Sequence, residues 1–295
     1  MYRRIVAVFK KLRGYDFEIL YVDNASTDGS ETLYQKLATK DKRVKIILMS
    51  RNFGSPQPSF VAGLEYSSGD AAVFLHGDIQ DPPEMIEKFV GKWEAGYDVV
   101  YGERVSRKGY SFFWNTLYKG FYFLLNKLAY INIPVNAGEF SLVDRRVIIE
   151  LRKLDEYDYF MRCLRAFVGF KQIGIKYVRD ARAHGRSTES LMSGFMWAKM
   201  IIINFSFKPL AWISTIAFMV TLFSFGLMAY DLYEFMFHRA LARGIPSIVI
   251  LILFLGGVQL LSISVIAEYL AKIFLEVKRR PKYIIQRTLN IRRKP

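Results

Sequence analysis

The chain contains a single cysteine, Cys163, among its 295 residues. One thiol cannot form an internal disulfide, and it cannot supply a zinc site built on several cysteines. Such a shortage is typical of a protein that folds in a reducing compartment. We predict that Cys163 is a small buried apolar residue rather than a catalytic thiol.

Charge is absent from two long stretches near the C-terminus. They run from Pro209 to Tyr230 and from Ile245 to Ala267, which is 22 and 23 residues without a charged side chain. At about 1.5 Å per residue, a helix of either length can cross about 30 Å of hydrocarbon. The sequence therefore predicts a transmembrane hairpin and disfavours a wholly soluble protein.

Basic residues flank this hairpin unevenly. The connection between the apolar stretches has only Arg239 and Arg243 as strong bases, whereas the segment from Lys278 to Pro295 has eight. Because positively charged segments stay on the cytoplasmic side, the tail and the large N-terminal part are both predicted to be cytoplasmic. We therefore expect an integral membrane protein of the plasma membrane or the endoplasmic reticulum.

The whole chain carries a formal net charge of +15. Such a charge favours an anionic partner: a lipid surface, a phosphorylated substrate or a nucleic acid. The basic residues of the tail are typical of membrane topology and lipid contact, so nucleic-acid binding is disfavoured. Nothing in the composition decides the oligomeric state, and a homo-oligomer is left open.

Residues 1 to about 190 alternate short β-rich runs with helical patterns, which is typical of an α/β domain with a mainly parallel sheet. The spacing of apolar residues over 2–12 predicts a first helix that packs on this domain. Pro82 and Pro83 open another helix, since proline is favoured in a first turn. The predicted strands are residues 17–22, 44–49, 71–75, 98–102 and 171–178. The predicted parts of the chain are the α/β domain 1–190, a juxtamembrane amphipathic helix 191–208, the hairpin 209–271 and the basic tail 272–295.

Polar clusters follow three successive predicted strands. They are "VDNASTDGS", "SRNFG" and "HGDIQDPP". The carboxyl ends of parallel strands meet at one edge of a sheet, so we expect the clusters to converge on one site. Asp78 and Gln80 offer oxygen ligands there, which suit Mg²⁺ or Mn²⁺ bound together with a diphosphate. Asp81, beside them, is predicted to be a turn or helix-capping residue.

Seven segments give the chain a resemblance to a known family. They are "YVDNASTDGS", "SRNFG", "AGLEYSSGD", "GDIQDPPE", "GYDVVYGER", "AGEFSLVDRRV" and "GFKQIGIKYVR", followed by the apolar hairpin. Together they closely resemble the polyprenyl-phosphate glycosyltransferases of family 2, which include dolichol-phosphate mannose synthases and bacterial polyprenyl-phosphate glucosyltransferases. The resemblance implies a GT-A catalytic domain that uses a UDP- or GDP-hexose with Mg²⁺ or Mn²⁺. It also implies inverting transfer of one hexose to a dolichyl or undecaprenyl phosphate, a step of glycan or cell-wall biosynthesis.

The resemblance implies roles for individual residues. The residues that would hold the nucleotide are Asp23, Asn24 and Arg51. Those at metal-ligand positions are Asp78, Gln80 and His76. Those that would meet phosphate groups are Arg104 and Arg182, whose planar guanidinium groups can bind an anion through two hydrogen bonds. Glu139 falls where the family has an Asp proposed as the base. Since a phosphate monoester is largely ionised near neutral pH, this carboxylate can instead orient the acceptor or the metal.

Four positions depart from the family's pattern. His76 stands at the first position of a D-x-D motif, and imidazole is a poor ligand for Mg²⁺ though acceptable for Mn²⁺. Asn115 and Ser141 replace arginines, and Thr188 replaces a lysine. All four changes remove charge near the expected phosphates. They motivate a rival hypothesis, a catalytically weak or inactive relative that acts as a membrane binding or scaffold partner. A processive polysaccharide synthase is disfavoured because the chain has no Q-x-x-R-W motif and no larger set of apolar spans.

The resemblance also implies a central strand ahead of the first helix, at which this chain begins. We expect the natural protein to have about 20 to 30 further residues before Met1, enough for one strand and its loop. A doubly wound sheet without an interior strand would leave backbone groups of both neighbouring strands unpaired.

Overall fold

The computed structural model describes residues 1–105, 120, 126–134, 136–179, 191–238 and 245–291. The chain forms two compact units. The first contains Met1–Asn126, Ile131–Thr188 and Arg279–Pro295, and the second contains Lys127–Tyr130 and Glu189–Lys278. The C-terminal residues therefore belong to the same unit as the N-terminal α/β domain, although the second unit separates them along the chain.

The first unit contains two sheets. Its strands are β1 (Ile19–Asp23), β2 (Val44–Met49), β3 (Ala71–Phe74), β4 (Val99–Arg104), β5 (Ala137–Asp144), β6 (Gln172–Tyr177) and β7 (Ile285–Leu289). They form a sheet of order β1-β2-β7 and a sheet of order β3-β5-β4-β6. The five predicted strands all form and the α/β prediction is confirmed, but three of the five described strand pairs are antiparallel, so the sheets are mixed rather than mainly parallel. Two further strands that the sequence analysis did not predict, β5 and β7, add antiparallel pairings to the parallel pairs β1-β2 and β4-β6.

β1 and β3 each pair on one side only within the part of the chain that the structure describes. β1 pairs with β2, and β3 pairs with β5. Their other edges have no strand partner among the described residues. The expected central strand would need two such edges, and its existence stays a prediction.

The helices of the first unit pack on these sheets. They are α1 (Tyr2–Lys11), α2 (Ser30–Lys40), α3 (Gln57–Tyr66), α4 (Met85–Glu94), α5 (Arg145–Lys153) and α6 (Met161–Phe167). The prediction for the first helix is confirmed, since α1 buries Ile5 and Val8 on one face. Cys163 is buried in α6, and burial raises the pKa of its thiol to about 11. The residue is therefore a protonated packing group, as predicted.

The second unit is helical. Its main elements are α7 (Leu191–Phe205), α8 (Lys208–His238) and α9 (Ile245–Lys278). Two segments, Lys208–Glu234 and Leu251–Lys278, are long and apolar enough to cross a membrane by their length and composition. Large apolar side chains on them, such as Phe223 and Leu260, are exposed, which is expected of surfaces that face lipid.

Candidate active site

The candidate site lies at one edge of the larger sheet. β3, β4 and β6 run in one direction, and β5 runs in the opposite one. The carboxyl ends of the first three strands and the amino end of β5 therefore lie at the same edge. The side chains at or just beyond these strand ends include His76, Asp78, Arg104, Glu139 and Arg179. Of the three predicted polar clusters, the one after β3 lies at this edge, together with side chains from β4, β5 and β6, while the clusters after β1 and β2 follow strands of the other sheet.

Gln57, the first residue of α3, links this edge to the loop that follows β2. Its side-chain Nε2 donates a hydrogen bond to Glu139 Oε1 at 3.2 Å, and its Oε1 accepts one from the backbone N–H of Met161 at 3.1 Å. Gln57 is buried, so water does not compete for these bonds. Sequence reasoning missed this residue, which holds Glu139 in place from a distant part of the chain.

The loops after β1 and β2 contact each other through Asn24. Its Nδ2 donates to Asn52 Oδ1 at 3.2 Å, and its Oδ1 accepts from the N–H of Phe53 at 3.0 Å. The guanidinium of Arg51 lies over the Phe53 ring, 4.2 Å from its centroid. Asp23 is buried at the end of β1 and accepts from the N–H of Ser26 at 2.8 Å. Asp23, Asn24 and Arg51, the predicted nucleotide residues, therefore lie on two loops that are bonded together.

His76 faces Glu139. The imidazole Nε2 lies 3.6 Å from Glu139 Oε2, and the ring packs edge-on against Phe60. Burial by itself would raise the pKa of Glu139, but the interaction with His76 and the positive charge of Arg162 outweigh burial and hold this pKa below its usual range. Glu139 is therefore an ionised acceptor of hydrogen bonds and a weak proton acceptor.

The loop after β3 is strained at its centre. Asp78 Oδ1 accepts a hydrogen bond from the backbone N–H of Gln80 at 3.2 Å. Ile79, between them, has a φ of 62°. A β-branched residue in the left-handed region is a genuine outlier, and such strain concentrates at ligand-binding loops. The conformation places Asp78 and Gln80 in one tight turn.

Arg179, just beyond β6, joins two carboxylates of this loop. Its Nη2 lies 3.6 Å from Asp78 Oδ2, and its Nε lies 3.3 Å from Asp81 Oδ1. The Tyr177 hydroxyl donates to Asp81 Oδ1 at 2.5 Å. Burial and this bond raise the pKa of Tyr177 to about 12, so its hydroxyl stays a proton donor. Asp81 lies in a bend and does not cap a helix, because α4 begins four residues later and has Glu84 at its N-cap position. It is fully buried and compensated by Tyr177 and Arg179.

Two arginines approach the start of β5. The backbone of Gly138 leaves room for Arg104, since a Cβ at this position would lie 2.8 Å from Arg104 Nη2. On α6, Arg165 is fully buried, with Nη2 3.4 Å from the Gly138 carbonyl oxygen and its guanidinium over the Tyr101 ring. Burial lowers the pKa of Arg165 to about 10, which leaves it charged at neutral pH. The site therefore combines cations from β4 and α6 with the carboxylate of Glu139.

Sequence reasoning missed Arg165 and Arg179. Arg179 ends the quoted motif "GFKQIGIKYVR", and a basic residue just after a strand was the available clue. Arg165 lies on α6 together with Arg162, and a fully buried arginine is unusual. Ser141 is buried, and its hydroxyl donates to the Glu139 carbonyl oxygen at 2.9 Å. The other predicted or departing positions, Arg182, Asn115 and Thr188, lie outside the described residues.

The residues after β3 fit a hard divalent cation in part. In the described ranges, no group of three or more His, Cys, Asp or Glu side chains is arranged to hold a metal ion. Asp78 and Gln80 nevertheless present oxygen atoms from one turn, and Asp81 Oδ2 nearby is buried without a hydrogen-bond partner. Mg²⁺ and Mn²⁺ suit such oxygen donors, and Mg²⁺ often takes its remaining ligands from substrate phosphates and water.

An α/β domain with cations and carboxylates at its strand ends is typical of an enzyme that acts on a phosphorylated ligand. The family model described as Glycosyl transferase family 2 matches residues 2–152. The chain belongs to this family, and the GT-A class predicted from the sequence is confirmed.

Relatives match nearly the whole chain. An uncharacterized glycosyltransferase of Bacillus subtilis, YkcC, is 38% identical over 293 residues, which cover 99% of this chain and 90% of the relative. The SfII prophage-derived bactoprenol glucosyl transferase of Shigella flexneri is 35% identical over 288 residues, 98% of this chain and 93% of the relative. A prophage bactoprenol glucosyl transferase homolog of Escherichia coli is 33% identical, covering 97% and 94%. Among solved structures, residues 1–349 of S. aureus TarS match with a TM-score of 0.39 and 14% identity, covering 69% of this chain and 61% of that one.

Proposed function

We propose that this protein transfers a hexose from a UDP- or GDP-hexose to a polyprenyl phosphate, with inversion at the anomeric carbon. The observation that carries the proposal is the match to bactoprenol glucosyl transferases of 33 to 35% identity over almost the full length of both chains. Bactoprenol is a polyprenyl lipid, and the two apolar helices of the second unit suit an acceptor that stays in a membrane. A glucosyl donor is therefore the first candidate.

Most of the proposed site residues act on the nucleotide-sugar donor. The bonded loops that carry Asn24 and Arg51 bind the nucleotide, and Arg104 neutralises a phosphate of the donor as the bond to the sugar breaks. Asp78 and Gln80 would hold Mg²⁺ or Mn²⁺, and the ion would supply Lewis-acid stabilisation of the leaving diphosphate. Arg182 is proposed as a second phosphate-binding arginine on the basis of the family resemblance.

Glu139 orients the acceptor rather than removing a proton. A general base works best when its pKa is near the working pH, whereas the pKa of Glu139 is held below its usual range. The lipid phosphate is already an anion and attacks the anomeric carbon directly. One in-line displacement of this kind inverts the configuration.

Transfer itself is the test of this function. The full-length protein is incubated with undecaprenyl phosphate and each of a panel of labelled nucleotide sugars, and label is counted in the organic phase. The assay is run with Mn²⁺ and with Mg²⁺. We expect transfer from one donor and loss of transfer when a chelator is added. Product with the same anomeric configuration as the donor would contradict the inverting mechanism.

We also propose that the catalytic domain and the tail lie on the cytoplasmic side of the membrane. Support comes from chain connectivity: Ile131–Thr188 and Arg279–Pro295 belong to one unit, so the chain between them crosses a membrane an even number of times or not at all. Two candidate spans lie in that interval. The eight basic residues from Lys278 onward favour the cytoplasmic side.

A reporter fused after Pro295 is expected to be accessible from the cytoplasm, and one inserted near Ala240 from the opposite side. The reason is that a hairpin places its ends on one face and its connection on the other. Accessibility to an impermeant label, in intact and in opened cells, measures both positions. Labelling of both reporters from the same side would rule out the hairpin.

A further inference from the structure

The segment after α9 is fixed to the first unit by many bonds. β7 pairs with residues 46–49 of β2 in an antiparallel ladder. Asn290 Nδ2 donates to the carbonyl oxygens of Ala38 and Val44 at 2.7 and 2.8 Å. Lys282 Nζ donates to the carbonyl oxygen of Leu154 at 3.1 Å. This part of the basic tail is therefore an ordered strand and not only a flexible, lipid-binding extension.

β7 is bonded to the loop that follows β2. We call residues 50–54 the donor loop, because they include Arg51 and lie against Asn24. The backbone N–H of Ser50, the first residue of the donor loop, donates to the carbonyl oxygen of Ile284 at 2.9 Å. The ladder between β2 and β7 thus continues into the base of the loop.

The donor loop and β7 also share an apolar cluster. The buried residues of this cluster are Ile47, Met49 and Ala62. Phe53 from the donor loop and Ile285 from β7 both pack against them. The backbone N–H of Phe53 donates a hydrogen bond to the Asn24 side chain, and the Arg51 guanidinium lies over the Phe53 ring. A change at Ile285 is therefore transmitted to the nucleotide residues through packed side chains, since closely packed cores respond to a change of even one methylene.

We propose that β7 is a positioning element of the donor site, and that Ile285 is its positioning residue. β7 holds the donor loop in the conformation that binds the nucleotide sugar. The proposal rests on the proposed function in its identification of the ligand. One consequence is that a catalytic domain cut off after β6 would lack a part of its donor site, because that part follows α9 in the chain.

The test compares two isoleucines that are neighbours in sequence. Ile285→Ala removes the side chain in the cluster, whereas Ile284→Ala removes one that is 52% exposed and keeps the carbonyl that Ser50 contacts. In the full-length protein, Ile285→Ala is expected to speed amide hydrogen exchange in residues 50–54 and to raise the KM for the donor, each on the order of tenfold. The kcat and the KM for the lipid are expected to stay within about twofold. Ile284→Ala is expected to behave as wild type, and Ile285→Val to restore most of the loss.

Several outcomes would overturn the proposal. Unchanged loop exchange in Ile285→Ala would do so, and so would a rise of both KM values together, which indicates general destabilisation. If Ile285→Ala does not accumulate, Tyr283→Phe, which loses only the hydroxyl bonded to Glu65, is expected to shift exchange and donor KM in the same direction by about threefold. No shift in that variant overturns the proposal too. If the wild type transfers no sugar at all, the proposed function fails, while hydrogen exchange still decides whether β7 positions the loop.

Discussion

Asp78→Asn is expected to lower the kcat of hexose transfer by at least about 100-fold. A bound metal that polarises a phosphoryl oxygen contributes several kcal/mol to the transition state, and each 1.4 kcal/mol or so is a factor of ten. An amide keeps the shape of the side chain but removes the negative charge that holds the cation. Initial rates of transfer over a range of Mn²⁺ concentrations measure the loss.

Asp16→Asn is the matched control for this variant. Asp16 is an exposed carboxylate in the connection between α1 and β1, far along the chain from the loop after β3. It is expected to retain wild-type turnover. If Asp78→Asn also turns over normally while folding into membranes, Asp78 does not hold the metal.

Glu139→Gln is expected to lower kcat/KM for the lipid acceptor by about 10 to 100-fold. A contact with a charged group contributes about 1.5 to 3 kcal/mol, and the substitution removes the charge that faces His76. Gln57 can still bond to the amide oxygen, so the fold is expected to persist. Transfer rates at several concentrations of undecaprenyl phosphate measure the effect, and Glu87→Gln, on the exposed face of α4, is the control.

The pH profile of this variant distinguishes an orienting role from a basic one. The folded pKa of Glu139 is below its ordinary value of 4.5, so the carboxylate keeps its charge as the pH falls to that value and loses it only below. The acid limb of the profile then belongs to the lipid phosphate, whose second pKa is about 6. We expect the same limb in wild type and Glu139→Gln. A limb that vanishes in the variant would identify Glu139 as the base.

Local sequence patterns predicted the elements whose stability is mostly local. The proline pair before α4 predicted that helix, which buries Met85, Ile86 and Phe89. β5 was missed because its partners precede it by many residues and it is buried on both faces, so it lacks the alternation that marks a strand. β7 was missed because its pairing with β2 spans more than 200 residues of chain, and its basic neighbours indicated lipid contact.

The residues of the candidate site could also be predicted only in part from local sequence. The ends of predicted strands pointed to the clusters that contain Asp23 and Asp78, because the carboxyl end of a strand is a local feature, whereas the role of Arg104 was implied by the family resemblance. The partners across the site could not be predicted from spacing. His76 meets Glu139, and Arg179 meets Asp81, only after β5 and β6 join the sheet on opposite sides of β4. The contact with His76 is one of the interactions that hold the pKa of Glu139 below its usual range.

The proposed activity of this chain is the transfer of a sugar onto a lipid phosphate. The most direct measurement uses purified full-length protein in liposomes that contain undecaprenyl phosphate, with UDP-glucose labelled in the sugar and with the Asp78→Asn variant alongside. We expect label in the lipid phase that requires undecaprenyl phosphate, Mn²⁺ or Mg²⁺ and Asp78, or the same result with another hexose donor of the panel. If protein that is folded and still binds a nucleotide sugar labels the lipid phase with no donor, the protein is not a sugar transferase of this kind, and a binding or scaffold role is favoured.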